Sequence, residues 1–411
     1  MSRTSVRTVI ISFLSIALVV YVYIGVILIS ESPLSQVMRE PEELLTRSDE
    51  NSSQIRFIAL RRHSKEHDLH CATKLQNGSI VITVATTVYT NEQLVTSHIF
   101  WVAFVQCSLD SGLKPLSAAL VVDNATSPYL SLKTVTTGKT KNAHLVTVCP
   151  NALHNFTDWL RLITFIEYYR FIGVSNFIVY NCSVSTDVNH VLQHYKSANK
   201  ISIIPMPQLP QPTPMPEPER QMAKMQDEGG ALVDLIHQVQ ILDCIFRTSS
   251  TTHFLTDIDL DELMASPNAT TENMLQNWLS NISPDIGGIQ ILSVFWDGQW
   301  PVTSNLAHFR PNNLSLQALA PFRISEHFPE EVRSKMIVRP EAVLRKSLHV
   351  VYEYLPGFST VVFPTEKATL YHLRNSEDAV EKRANPFEQV AEELTKRIRK
   401  KILDIQKSKL L

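Results

Sequence analysis

The chain has 411 residues, 44% hydrophobic and 19% charged, with a formal net charge of −2. That balance suits a globular protein with a real core, and its length allows one large or two ordinary domains. It argues against nucleic acid as a partner, since phosphate binding needs a basic surface.

The first element is an apolar run, Thr8 to Ser30, with no charged residue. About twenty apolar residues at ~1.5 Å rise cross a ~30 Å bilayer core, and backbone groups in lipid must bond within the segment. A transmembrane helix over residues 8–30 is therefore expected, with membrane attachment through it. A cleaved signal peptide has a shorter apolar region of ~7–15 residues and a small-residue cleavage site; no Ala-x-Ala follows here. Arg3 and Arg7 precede the run and Glu31, Glu40, Glu42 and Glu43 follow it. Basic residues stay cytosolic, so residues 1–7 form a cytosolic tail and the rest is lumenal or extracellular. Eight Asn-x-Ser/Thr sequons, at Asn51, Asn77, Asn124, Asn155, Asn181, Asn268, Asn281 and Asn313, all lie beyond the run, as N-glycosylation would require. Five cysteines (Cys71, Cys107, Cys149, Cys182, Cys244) make disulfides plausible outside the cytosol and leave at least one unpaired within the chain.

Residues 31–55 are polar and read as a stem. A β-rich region over 56–143 follows, with β-branched runs such as Ile80–Val84. From His144 the pattern alternates: a strand to Cys149, a helix from Asp158 to Phe171 capped by Thr157 or Asp158 and ended by Gly173, a strand over Phe177–Tyr180, a helix to Ser197, and a strand over Ile201–Ile204. Strands alternating with helices imply a doubly wound, Rossmann-like α/β domain with a mostly parallel sheet, whose ligands bind beyond the carboxyl ends of the strands. Seven prolines between Pro205 and Pro218 make 205–230 an extended loop. A helix from Ala231 to Arg247 and a mixture of short strands and turns over 321–361 come next. From Glu377 to Leu411 the chain is charged and helical, and its basic run Lys396–Lys401 reads as a solvated face.

The segment with chemical content is Thr252-His-Phe-Leu-Thr-Asp257-Ile-Asp259-Leu-Asp261-Glu262. In an extended chain, alternation sets Asp257, Asp259 and Asp261 on one side. Adjacent carboxylates repel unless a cation sits among them, and oxygen ligands select hard cations such as Mg²⁺ or Mn²⁺. A calcium loop of the EF-hand type is excluded, because Glu262 and Asn268 stand where Gly and Glu are needed. A solvated surface turn is the competing reading.

Several segments in the right order resemble glycosyltransferase family 92. They are Phe165-Ile-Glu-Tyr-Tyr-Arg-Phe-Ile-Gly-Val174, Phe177-Ile-Val-Tyr-Asn181, Asp243-Cys-Ile-Phe-Arg247, Asp259-Leu-Asp-Glu262, Lys335-Met-Ile-Val-Arg-Pro340 and His372-Leu-Arg374. The likeness covers about residues 144–376, with Leu373 in place of the family's Tyr. It implies a GT-A-like nucleotide-sugar-binding domain, a nucleotide-sugar donor such as UDP-galactose, Mn²⁺ (or Mg²⁺), and inverting transfer to a glycan acceptor on a glycoprotein or glycolipid. Single-pass type II architecture suits a Golgi enzyme. In that setting Asp259 and Asp261 would hold the metal, with His372 as a third ligand or a core histidine. Arg339 or Arg374 would pair the phosphates or serve structure. Glu167 would be part of a polar network by the nucleotide pocket. Asp297 would be the base that takes the acceptor's proton. Trp296 and Trp300 would stack on sugar or fill the core. A carbohydrate-binding or adhesion ectodomain, or an inactive relative, is the alternative function.

Overall fold

A computed structural model describes residues 18–21, 26–29, 44–49, 52–62, 68–89, 100–110, 112–123, 125–134, 139–206, 228–268, 270–297, 323–374, 381–382 and 386–409. They form two compact units: residues 1–138 with 205–247, and residues 139–204 with 248–411.

The first unit is β-rich. Strands Ser52–Arg62 and Phe100–Asp110 pair antiparallel along their whole length, and Leu69–Leu75 pairs antiparallel with Ile80–Val84 and Pro115–Val122. Ile55, Phe57, Val105, Leu120 and Val122 are buried between them, and a disulfide joins Cys71 to Cys107. Two expectations change here. Within the apolar run, Leu18–Tyr21 and Val26–Ile29 are strands paired antiparallel, not turns of a transmembrane helix. Val and Ile are stiff at χ1, which costs them in a helix and favours a strand. The remainder of the run lies outside the described residues. Among the described residues no helix is long and apolar enough to cross a membrane. The stem's Leu44–Asp49 is also a strand, paired with the start of Ser52–Arg62. Helix Glu228–Thr248 carries the Asp-Cys-x-x-Arg segment, which becomes an ion pair one helical turn apart: Arg247 Nε lies 3.0 Å from the buried Asp243 carboxylate. The proline-rich stretch 207–227 lies outside the described residues.

The second unit is mixed α/β. Its first elements are β1 (His144–Pro150), α1 (Trp159–Phe171), β2 (Asn176–Asn181), α2 (Thr186–Ser197), β3 (Ile201–Pro205), β4 (Thr252–Ile258) and β5 (Glu262–Ala265). Then come α3 (Met274–Leu279), β6 (Ile286–Ile291), β7 (Ser293–Asp297), β8 (Arg323–Ile324), β9 (Lys335–Val338), β10 (Val343–Lys346), β11 (Val351–Tyr354), β12 (Ser359–Val362), β13 (Thr369–Leu373), β14 (Glu381–Lys382) and α4 (Glu388–Lys409). The main sheet runs β3-β2-β1-β4-β9-β6-β12, with β1 parallel to β2 and β4, and β6 parallel to β12. The sheet departs from the parallel expectation at β9, which is antiparallel to both β4 and β6. A second sheet has the order β5-β13-β7-β8-β14.

Local sequence explains these elements. The Asp158 carboxylate accepts from Arg161 N at 3.0 Å and starts α1. Gly173, at φ 111, ends it, and Gly173 N donates to Arg170 O. Eleven of the thirteen residues of α1 are buried, so this helix is core on nearly every side. In α4 the buried positions Val390, Ala391, Leu394, Ile398, Ile402 and Ile405 recur at helical spacing. The basic run frames Ile398, with Lys396 and Lys400 exposed, so it is the solvent side of a packed helix.

Gly288 in β6 marks a close approach between sheet and hairpin. A Cβ there would collide with the Tyr354 hydroxyl, which is bonded to Thr360 Oγ1 at 2.8 Å, and would come within 2.9 Å of Met336 Cε. Gly288→Ala should therefore cost about 1–3 kcal/mol through overpacking, read as a lower chemical-denaturation midpoint. Unchanged stability would show that the hairpin yields freely.

Candidate active site

The acidic segment lies where the parallel strands end. β4 stops at Ile258, beside Pro150 at the end of β1. β1 stands between β2 and β4, so the strand order changes direction there, which is the usual ligand position in such sheets. Asp259 O accepts from Glu262 N at 3.0 Å and closes a turn over Asp259–Glu262. The Glu262 carboxylate reaches back to accept from Asp259 N at 2.9 Å. β5 then leaves the turn antiparallel to β13, with Glu262 opposite His372. Helix α1 pins that strand: Tyr168 OH donates to Met264 O at 2.6 Å, and Tyr169 OH donates to Glu262 O at 3.0 Å and accepts from Met264 N at 3.2 Å.

The cations among the carboxylates are lysines. Lys335 Nζ, at the start of β9, lies 3.0 Å from Asp259 Oδ1 and 3.4 Å from Glu262 Oε2. Lys346 Nζ, at the end of β10, lies 2.7 Å from Asp257 Oδ1. His372 bridges the far side, with Nε2 3.5 Å from Asp261 Oδ2 and Nδ1 3.6 Å from Glu262 Oε1. Burial, then the charge of Asp259, pushes Glu262 up to about 8. Burial alone would pull Lys335 down, but Asp259, Glu262 and Asp257 together hold it above its ordinary value. His372 behaves likewise: burial lowers it, and the bond to Asp261 with the charges of Glu262 and Asp261 raises it overall. Burial drives Asp257 up and Lys346 down, so one short hydrogen bond holds the pair whichever atom carries the proton.

The expected side-by-side triplet does not form. Asp257 is a buried strand residue facing Lys346, and the extended chain that would align it with Asp259 and Asp261 ends at Ile258. Asp259 and Asp261 are part-exposed on the turn, and His372 is brought to Asp261. Arg339 is elsewhere: its Nε donates to Ile286 O at 3.0 Å and its guanidinium lies 4.5 Å from the Phe254 ring centroid. Glu167 is buried inside α1, accepting from Tyr195 OH at 2.7 Å and Arg170 at 3.1 Å, a polar network within the core. Arg374 is exposed over the Phe295 ring, which is edge-on to His372 at 5.7 Å. Asp297 ends β7 opposite Arg323; its side chain lies outside the described residues. Trp296 is fully buried and stacks on Phe387 at 5.2 Å, so it is core; Trp300 lies outside the described residues. Of the sequons, Asn77, Asn155, Asn268 and Asn281 are exposed. Asn181 is half-buried at the end of β2, and Asn51, Asn124 and Asn313 lie outside the described residues. The adjoining Cys182 is the free cysteine among the described residues, and burial pushes its thiol up to about 11.

Sequence reasoning passed over Lys335 and Lys346. Lys335 opens the Lys-Met-Ile-Val-Arg-Pro segment, in which Arg339 is the residue suited by type to phosphate; nothing near Lys346 marks it as Asp257's partner. Among the described residues no trio of His, Cys, Asp or Glu is gathered as a metal cage. Two part-exposed carboxylates nevertheless fit Mg²⁺ or Mn²⁺, ions commonly held by one or two carboxylates plus substrate phosphates. His372 would have to lose the proton it shares with Asp261 before it could join them.

Residues 144–410 match glycosyltransferase family 92, and the chain belongs to that family. It is a glycosyltransferase. No curated protein sequence matches it. Among solved structures it is similar to glucosyl-3-phosphoglycerate synthase from Mycobacterium tuberculosis in complex with phosphoglyceric acid, at 11% identity over 64% of this chain and 80% of that one, with a TM-score of 0.27. It is also similar to the same enzyme in complex with Mg²⁺ and uridine diphosphate, at 12% identity over 64% and 79% of the two chains and a TM-score of 0.27.

Two outcomes follow from the charges. Lys335→Met removes the cation facing Asp259 and Glu262, and should cost about 3–5 kcal/mol in urea unfolding; a loss under 1 kcal/mol would mean the carboxylates find another partner. His349 donates through Nδ1 to Ser334 O at 2.8 Å, and burial with the charge of Lys335 pushes it down to about 4. A histidine depressed on folding binds its proton more readily when unfolded, so stability should fall as pH drops from about 6.5 to about 4, by up to about 3 kcal/mol. His349→Gln should flatten that part of the profile, and an unchanged slope would clear His349 of any role in it.

Proposed function

We propose that this glycosyltransferase moves galactose from UDP-galactose, with inversion and with Mn²⁺ or Mg²⁺, onto a glycan carried by a glycoprotein or glycolipid. The observation that carries the reading is the Asp259–Glu262 turn at the carboxyl end of β4, at the change in strand order of an α/β sheet. Asp259 and Asp261 would hold the cation, which when bound offsets negative charge on the departing nucleotide. The chain's own groups fix the turn. Lys335 orients Asp259, Tyr169 fixes the strand that leaves the turn, and His372 holds Asp261. Asp297, which closes β7 two residues beyond Phe295, would take the acceptor's proton. The GT-A-like assignment is supported by the sheet order and the turn.

The position of Lys335 favours a second reading, transfer without a metal, because an ammonium already faces Asp259. Sugar transfer from UDP-galactose, followed by UDP release, separates the two. Under the first reading chelator abolishes turnover, Mn²⁺ restores it, and Asp259→Asn lowers kcat/KM on the order of 10²–10³-fold while the protein still melts cooperatively. Chelator-resistant turnover would favour the second, and turnover by Asp259→Asn at the native rate would remove the turn from the site.

Single-pass type II attachment in the Golgi rests on the charge-free run at residues 8–30 and on the sequons beyond it. The two strands within that run argue the other way, since Leu18–Tyr21 pairs on one side with Val26–Ile29 and on the other with Ser52–Arg62 instead of forming a spanning helix. A type II Golgi protein should stay with membranes through alkaline carbonate extraction and gain mobility on N-glycosidase treatment. Release into the supernatant, or unchanged mobility, would reject that placement.

A further inference from the structure

Arg333 and Arg374 lie far apart in sequence, yet their guanidinium carbons approach the same ring, Phe295, at 5.2 and 5.6 Å from its centroid. Arg333 is also 5.7 Å from the ring of Phe328, which packs edge-on against Phe295 at 4.7 Å. The Phe295 ring is buried and both arginines are exposed. Neither guanidinium has a carboxylate or hydrogen-bond partner among the described residues, unlike Arg161, Arg170, Arg247 and Arg397, which all have one. Two like charges are thus brought to one apolar ring with no carboxylate beside them among the described residues. The backbone contributes to that placement: Arg333 has φ 53 and Glu331 φ 65, left-handed values that non-glycine residues adopt at a cost of roughly 1–2 kcal/mol. The ring they share is 5.7 Å from His372, which in turn contacts Asp261.

We propose that Arg333 and Arg374 form an oxyanion site on the β7–β13 side of the acidic turn. It receives a tetrahedral phosphoryl or sulfuryl group, carried either by the nucleotide donor or by the acceptor glycan. Guanidinium forks match such groups in shape and charge, and the phenyl ring limits how far the two side chains can swing. The donor version rests on the transfer reading above; oxyanion binding itself does not.

The test is calorimetric titration of the purified full-length chain with three probes: UDP, uridine, and sulfate with UDP saturating. Arg333→Asn is used because Asn tolerates a left-handed backbone, and Arg374→Gln serves as the independent second variant should the loop variant fold poorly. If the donor's phosphates occupy the site, each variant weakens UDP about 10-fold and leaves uridine unchanged. If the acceptor's anion occupies it, UDP binding is unaffected and sulfate binding to the UDP complex falls about 10-fold. If wild-type protein ignores UDP but binds sulfate through these arginines, the oxyanion site stands and the donor reading falls. If neither probe depends on Arg333 or Arg374, or wild-type protein binds neither, the proposal is overturned.

Discussion

The candidate site depends on one buried ammonium. Lys335 Nζ faces both Asp259 and Glu262, and Glu262 is nearly inaccessible to water. Without that charge, three carboxylates would stand at the end of a core strand in a region of low dielectric, where like charges repel strongly. With it, Glu262 can turn back and accept the Asp259 amide, which closes the turn and leaves Asp259 and Asp261 part-exposed. Because β9 runs antiparallel to β4, the beginning of one strand meets the end of the other, and that is what carries Lys335 to the acids.

Two layers of support surround this contact. On one side α1 contributes Tyr168 and Tyr169, whose hydroxyls bond the backbone of β5; burial raises both well above ordinary phenols, so they remain hydrogen-bond donors. On the other side β13 sets His372 opposite Glu262 and beside Phe295 of β7. The Phe-Ile-Glu-Tyr-Tyr segment therefore has two separate tasks. Its glutamate ties α1 to α2 through Tyr195, while its tyrosines hold the strand that leaves the acidic turn.

Local features were the legible ones. The cap at Asp158 and the left-handed Gly173 appear in a short window of sequence, and α1 forms where that window places it. The Asp259–Glu262 turn was visible as an acidic cluster for the same reason. The C-terminal helix is shorter than the charged run from Glu377, because Glu381–Lys382 is a strand and the helix begins at Glu388. Partners across long sequence separations were hidden. Nothing local to Lys346 points to Asp257, and nothing local to Arg333 points to Phe295. The apolar run at residues 8–30 shows a further limit: hydropathy counts apolar residues but does not choose between helix and strand when Val and Ile dominate, and its described pieces are strands. By type alone Trp296 could stack on sugar or fill the core, and it is core because Phe387 covers it.

The place of β9 in the sheet also sets a schedule for assembly. β4 is complete at residue 258, but its neighbour on the side away from β1 is supplied by residues 335–338. Until that later segment leaves the ribosome, β4 has an open edge, and the carboxylates that follow it have no ammonium beside them. Non-local pairing of this kind slows folding and exposes strand edges meanwhile. A nascent chain stalled between β6 and β9 would thus hold its acidic turn unformed with every residue of that turn already made, and the transferase half matures only when β9 docks.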